Sequence, residues 1–216
     1  EIHAVLGENG AGKTTLMKVL YGMTQPNSGE ICYKGEPLRL RSPIDAINKG
    51  ICMVHQHFML VPAFSVTDNI VVGAEPHKGI FLDKAKAKRE VQELIQQFHF
   101  NIDPDILVER LSVGEQQRVE ILKALYRKAD VIILDEPTAV LTPTEVEELF
   151  VILRQLRDSG KSIIIITHKL KETMELADRI VVPRDGRLVA DDVRPAEVTT
   201  EQLSSLMVGR QVDLQI

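Results

Sequence analysis

Eight consecutive residues near the start of the chain, Gly7-Glu8-Asn9-Gly10-Ala11-Gly12-Lys13-Thr14, restrict its fold more than any other stretch. They fit the pattern G-x-x-x-x-G-K-[ST]. An apolar run over residues 2–6 precedes them, and a helical pattern over 14–21, stopped by Gly22, follows. A strand that feeds a glycine loop into a helix is the context in which this pattern binds phosphate, so the spacing predicts an α/β core. The glycines let successive backbone N–H groups turn inward around phosphate oxygens, where a Cβ would obstruct them. The helix N-terminus adds the positive end of its dipole. Lys13 supplies a cation for the β- and γ-phosphates of a nucleotide, and the Thr14 hydroxyl is placed for Mg²⁺. Thr15 closes the candidate nucleotide-binding set.

Other turns and strands fall into place around this loop. Lys34-Gly35 sits between short strands over 30–33 and 37–40 as a hairpin. Ser42-Pro43 opens a helix that Gly50 stops, and 51–54 is another apolar strand. Beyond Gln56 the character changes. Helical spacing over 66–72 and 83–98, with loop residues Pro76, His77 and Gly79 between, predicts a mostly helical insert reaching Lys128. Residues 131–134 and 162–167 are uninterrupted apolar runs, as expected of parallel strands covered on both faces. Thr142-Pro143-Thr144-Glu145 is a capping box with Pro at the first helical position, opening a helix that runs to Gly160. Asp185-Gly186 turns a hairpin, and a short helix over 201–208 ends at Gly209. The expected architecture is a nucleotide-binding α/β core with a mainly parallel sheet, residues 1–56 and 129–216, and an inserted helical subdomain, 57–128.

Val131-Ile132-Ile133-Leu134-Asp135-Glu136 delivers two carboxylates at the C-terminal end of an apolar strand, where α/β sheets place ligand chemistry. Asp135 suits Mg²⁺, usually through water. Glu136 suits a hydrogen bond from an attacking water. An acidic strand end alone is common, but paired with a phosphate loop it points to nucleotide hydrolysis. Leu111-Ser112-Val113-Gly114-Glu115-Gln116-Gln117 is a third element. Ser112 and Glu115 form a capping box for the helix that contains 118–127. A cap does not account for Gly114, which in a first turn costs roughly 1 kcal/mol against Ala. A glycine there leaves the helix end bare, open to a second phosphate.

Composition removes other classes. Hydrophobic residues are 44% of 216, enough for a sizeable core, while aromatics are 4% and Trp is absent, which disfavours a base-stacking or carbohydrate-binding surface. Net charge is −5, and the densest basic group, Lys84, Lys86, Lys88 and Arg89, alternates with Glu90 and Glu93 as a solvated helix face. Nucleic acid is therefore not an expected partner. Cys32 and Cys52 lie far apart and read as free or buried thiols of a reducing compartment. No apolar run approaches the roughly 20 residues of a membrane span.

The phosphate loop, the 111–117 stretch, the 131–137 strand end and Thr167-His168 resemble ABC ATPase domains in order and approximate spacing, over essentially the whole chain. LSVGEQQ is similar to the ABC signature, with Val113 where the commonest form has glycine. The resemblance implies that Gln56 is the glutamine at the join of core and insert and that His168 is the switch histidine. It makes Glu136, His168 and Gln56 the catalytic candidates and Thr14, Gln56 and Asp135 the metal candidates. Ser112, Val113, Gly114, Glu115 and Gln116 would face an ATP held mainly by a partner domain. His55 and His57 read as loop residues rather than metal ligands.

Residues 55–62, 119–125 and 167–170 narrow the resemblance to importers of simple sugars and nucleosides, whose ATPase chains usually carry two such domains in tandem. Residues 136–142 resemble the first of the two, and Met207-Val208-Gly209-Arg210 looks like the point from which a second continues. The implied partners are a second ABC ATPase domain in a head-to-tail dimer, transmembrane permease subunits and, indirectly, a solute-binding receptor, at the cytoplasmic face of the cell membrane. Soluble repair-type relatives carry a long coiled coil that this insert lacks. A regulatory module without turnover is disfavoured by Glu136 and His168. Two departures stand out. Thr142 occupies the position where most members have Asp, and the aromatic residue that stacks on adenine has no counterpart in the six residues before Gly7. The span is thus expected to hold ATP through its phosphates, weakly and with little preference over GTP.

Overall fold

The structure, a computed structural model, describes residues 1–209. β1 (Ile2–Leu6) leads into α1 (Lys13–Leu20), a hairpin of β2 (Ile31–Tyr33) and β3 (Glu36–Leu38), α2 (Pro43–Asn48) and β4 (Ile51–Val54). Then come α3 (Val66–Val71), the short β5 (His77–Lys78) and β6 (Phe81–Leu82), α4 (Lys84–Gln97) and α5 (Val113–Tyr126). The chain continues through β7 (Val131–Asp135), α6 (Pro143–Asp158), β8 (Ser162–Thr167) and α7 (Leu170–Leu176). β9 (Arg179–Arg184), β10 (Arg187–Val193) and α8 (Thr200–Val208) complete it.

Six strands form one sheet in the order β10-β9-β1-β8-β7-β4. Every pairing is parallel except β9 with β10, which is antiparallel and bulged. The central strands are apolar on both faces because helices cover both. Ile132, Ile133 and Leu134 have no accessible surface, and neither do Ile163 and Ile166. Each such side chain contributes about 1.5–3 kcal/mol by leaving water. The register sets Leu6 beside Thr167 and Asp135 beside Ile166, so the carboxyl ends of β1, β8 and β7 lie side by side.

Helices α3, α4 and α5 contribute Ile70, Val91, Val119, Ile121 and Leu122 to the same apolar cluster as Ile132, Leu134 and Ile163. The helical stretch thus shares its core with one face of the sheet. The opposite face packs Val5, Ile133 and Ile166 against Met17 of α1 and Ala46 of α2.

The helix signals behave as their chemistry requires. Ser42, Ser65, Asp83, Ser112, Thr142 and Thr199 each accept a backbone N–H at a helix start. Two elements exceed the expectation. The segment holding His77 and Gly79 closes into the β5–β6 hairpin rather than staying a loop. Helix α7 begins after Lys169, which offers no side-chain cap, so nothing local announces it. The basic face of α4 is solvated, and Lys86 and Lys88 pair with Glu90 at 3.8 Å and Asp105 at 2.5 Å. Of the Met207–Arg210 stretch, Arg210 lies outside the described residues. Among the described residues no helix is long and apolar enough to cross a membrane.

Candidate functional site

The glycine loop leaves β1 held by two backbone bonds. Gly7 N–H donates to Thr167 O at 3.2 Å, and Ala11 N–H donates to Glu8 O at 3.2 Å. Gly12 caps α1 with φ of 99°, a left-handed conformation that a side chain resists. The turn of the β9–β10 hairpin braces the loop from beside it, where Gly186 N–H donates to Ala11 O at 3.3 Å. Glu8, Asn9 and Gly10 are exposed, as are Thr14 and Thr15 at the start of α1, while Gly7 and Ala11 are buried.

Lys13 is only 5% exposed and turns back into its own loop. Its ammonium donates to Gly7 O at 2.5 Å and Glu8 O at 3.0 Å. Burial pulls its pKa below the ordinary lysine value, against the opposing pull of Glu136, Asp135 and Glu8. The loop therefore concentrates one desolvated cation beside two strand-end carboxylates. Asp135, in turn, is pushed above the usual carboxylate range, first by burial and then by Glu136, with His55 and Lys13 acting the other way.

Glu136 is the first residue beyond β7. Its φ is 45°, which for a non-glycine residue costs about 1–2 kcal/mol. Its N–H donates to Ile166 O at 2.9 Å, which aims the side chain across the end of β8. There Oε1 lies 2.8 Å from His168 Nδ1, and Oε2 accepts from Thr167 Oγ1 at 3.4 Å. The strained backbone presents the carboxylate where those partners can reach it. The following loop is tied to α7, since Lys169 Nζ donates to Thr138 O at 2.9 Å and Glu172 Oε1 at 3.0 Å.

Gln56 follows β4, whose Val54 pairs with Leu134 of β7. It is exposed, and no side-chain hydrogen bond joins it to Asp135 or Glu136 in this structure. Its loop is anchored instead through residues that sequence reasoning missed. Met59 N–H donates to the buried Glu120 of α5 at 2.6 Å, and Lys123 Nζ donates to Met59 O at 3.3 Å. Asn69, wholly buried in α3, accepts from Val61 N–H at 2.7 Å and donates to Val61 O at 3.0 Å. The available signal was polar residues at positions where helical spacing calls for apolar ones.

The 112–116 stretch opens α5. Ser112 and Val113 are exposed and Gly114 is buried. Both halves of the capping box are made, Glu115 N–H to Ser112 Oγ at 3.2 Å and Ser112 N–H to Glu115 Oε2 at 2.8 Å. Gln116 Nε2 donates to Leu111 O at 3.2 Å. The bare helix end expected from the sequence is not bare, because the Glu145 carboxylate of α6 lies over it.

The phosphate loop, Asp135, Glu136 and His168 thus meet at the carboxyl edge of a parallel sheet, the arrangement of a nucleotide site. The family model described as "ABC transporter" matches residues 1–139, and the chain belongs to that family. It is similar to the nucleoside import ATP-binding protein NupA of Lactococcus lactis, 55% identical over 212 residues, 98% of this chain and 42% of that one. The guanosine import ATP-binding protein NupO of Bacillus subtilis is 53% identical over 216 residues, 100% of this chain and 42% of that one. The glucose import ATP-binding protein TsgD13 of Haloferax volcanii is 48% identical over 240 residues, 98% of this chain and 44% of that one. The chain therefore spans less than half the length of these relatives. Among solved structures, cbiO1 from Clostridium perfringens, part of the ABC transporter complex cbiONQ, superposes with a TM-score of 0.78 at 30% identity, covering 100% of this chain and 84% of that one. A nucleotide-free ATP-binding cassette superposes at 0.80 and 20% identity, over 100% of this chain and 88% of that one, which bears on the fold alone.

Proposed function

We propose that this chain binds and hydrolyses ATP to power import of a nucleoside or simple sugar through a membrane transporter. The observation that carries the proposal is the meeting of the phosphate loop with Asp135, Glu136 and His168 at one sheet edge. Residues 7–15 hold the phosphates, with Lys13 released from the Gly7 and Glu8 carbonyls to reach them. Glu136 takes a proton from, or orients, the attacking water. His168, hydrogen-bonded to Glu136, positions that carboxylate and contacts the γ-phosphate. Gln56 joins them when its loop moves inward.

The donor set fits Mg²⁺. Thr14, Asp135 and Gln56 offer only hard oxygen donors, and Asp135 sits beside a second carboxylate in a partly buried place that disfavours its charge. When bound, Mg²⁺ held by Thr14, Asp135 and Gln56 would offset the negative charge of the phosphates during hydrolysis.

The division into a core, 1–56 and 129–216, and a helical subdomain, 57–128, belongs to the same proposal. Ser112, Val113, Gly114, Glu115 and Gln116 then serve an ATP held by a second ABC ATPase domain, head to tail with this one and in tandem on a longer chain. Permease subunits meet the helical part at the cytoplasmic face of the membrane, and a solute receptor acts through them. The names of NupA, NupO and TsgD13 support the solute class. The test is to reconstitute the full-length protein with its permease in vesicles and follow labelled guanosine and glucose. ATP-dependent uptake of one of them, abolished by Lys13→Ala, is expected. ATP turnover without uptake of either would refute the transport assignment.

A further inference from the structure

An anion already sits where the proposed function puts a partner's phosphate. Ser112 Oγ donates to Glu145 Oε1 at 3.1 Å, and Gly114 N–H donates to the same oxygen at 3.0 Å. A Cβ built on residue 114 would lie 2.7 Å from Glu145 Oε1 and 2.8 Å from both its Cδ and its Cγ. The side chain therefore lies flat against the glycine, using the same open face that admits a phosphate. The other oxygen, Oε2, accepts from Thr142 N–H and Thr142 Oγ1, both at 2.9 Å. Beside this clasp Arg118 of α5 pairs with Glu148 of α6.

We propose that Glu145 is an internal stand-in for phosphate, occupying the Ser112 and Gly114 donors until a nucleotide held by the partner domain displaces it. The inference rests on the reading of residues 112–116 as serving that nucleotide. The carboxylate and a γ-phosphate oxygen are both anionic acceptors for the same two donors at the positive end of a helix. Only one can be there, and two like charges at that separation repel. Displacement costs only the two bonds to α5, because Oε2 keeps its bonds to Thr142 and the start of α6 stays capped. Thr142 gains a role here as well. An Asp in its place has no hydroxyl to donate to Oε2 and would repel the carboxylate it needs to hold.

The contact thereby sets how much ATP is needed to close the domain pair. Glu145→Gln keeps the size but removes the charge and leaves one acceptor oxygen, the other position becoming an NH2 group that can only donate. Glu145→Asp keeps the charge in the first turn of α6 but falls one methylene short of Gly114. The difference between charge-assisted and neutral hydrogen bonds corresponds to roughly 5- to 10-fold in an equilibrium constant. In the full-length protein, both variants should turn over ATP with a half-saturating concentration lowered by that factor and kcat little changed. A cap without regulatory effect would instead lower the melting temperature and leave the half-saturating ATP where it was. That result in both variants, with Ser112→Ala still impairing turnover, overturns the inference and spares the reading of the signature. Normal turnover in Ser112→Ala overturns that reading and the inference together.

Discussion

Glu136→Gln separates what the strand end does for the fold from what it does for chemistry. The wild-type carboxylate takes part in two contacts, 2.8 Å to His168 Nδ1 and 3.4 Å to Thr167 Oγ1. A glutamine amide matches both, accepting from His168 with its oxygen and donating to Thr167 with its nitrogen. The backbone cost of φ 45° is the same for either residue, and the Glu136 N–H bond to Ile166 O is untouched. The fold should therefore change by no more than about 1 kcal/mol, the scale of one net hydrogen bond, which is a melting shift of roughly 2–4 °C for a chain of this size. Basicity is lost altogether. A positioned general base is worth about 10²–10⁴-fold, or about 3–5 kcal/mol at the transition state. The assay pairs single-turnover phosphate release with ATP titration by calorimetry, on the full-length protein carrying the substitution in this domain. ATP should still bind while release slows by that factor. Release within tenfold of wild type would mean that another group activates the water. A much larger melting shift would mean that the pairing with His168 holds the fold rather than the chemistry.

Lys13→Ala should abolish most ATP binding, because no other cation lies inside the loop; calorimetric affinity equal to wild type would remove Lys13 from the site. Asp135→Asn should raise the melting temperature at neutral pH, since burial and Glu136 both disfavour its charged form, while lowering Mg²⁺-dependent turnover. Because the folded-state pKa is raised, the ionised carboxylate burdens the fold above that pKa and is relieved below it. The advantage of the variant should shrink as the pH falls into the carboxylate range, and a gap that widens in acid would contradict the assignment. Gly22→Ala should cost about 2–3 kcal/mol, seen in thermal melts as roughly 5–10 °C. Its φ is 75°, and the added Cβ would lie 2.6 Å from Ser42 O.

Local signals were readable wherever a side chain caps, turns or alternates. Ser42-Pro43, Lys34-Gly35 and the Thr142–Glu145 box all make the contacts their spacing implies. The 51–54 and 162–167 strands match to the residue because uninterrupted apolar runs have sharp polar ends. Helix α7 escaped because it is seven residues long and follows an uncapped Lys169. Two-residue strands such as β5 and β6 carry no period to detect. The candidate site residues were picked out as types, since phosphate loops and strand-end carboxylates are local patterns. Their pairings were not. Glu136 with His168, Met59 with Glu120, and Glu145 with Ser112 join residues dozens of positions apart, so no spacing rule connects them.

Helix α5 has a mechanical property that follows from where it is pinned. Glu120 and Lys123 hold the N–H and the carbonyl of Met59, and Ser112 caps the same helix eight residues before Glu120. At 1.5 Å per residue that separation is about 12 Å of stiff rod. Asn69 of α3 fastens Val61 as well, so the segment beyond Gln56 is tied to the helical part at a second point. A tilt of about 10° about the Glu120 grip would carry the Ser112 end through roughly 2 Å. A hydrogen bond does not survive that distance. Under the proposed function, a push near Met59 that tilts the helix would therefore break the contacts at Ser112 and Gly114, with the helix acting as a lever.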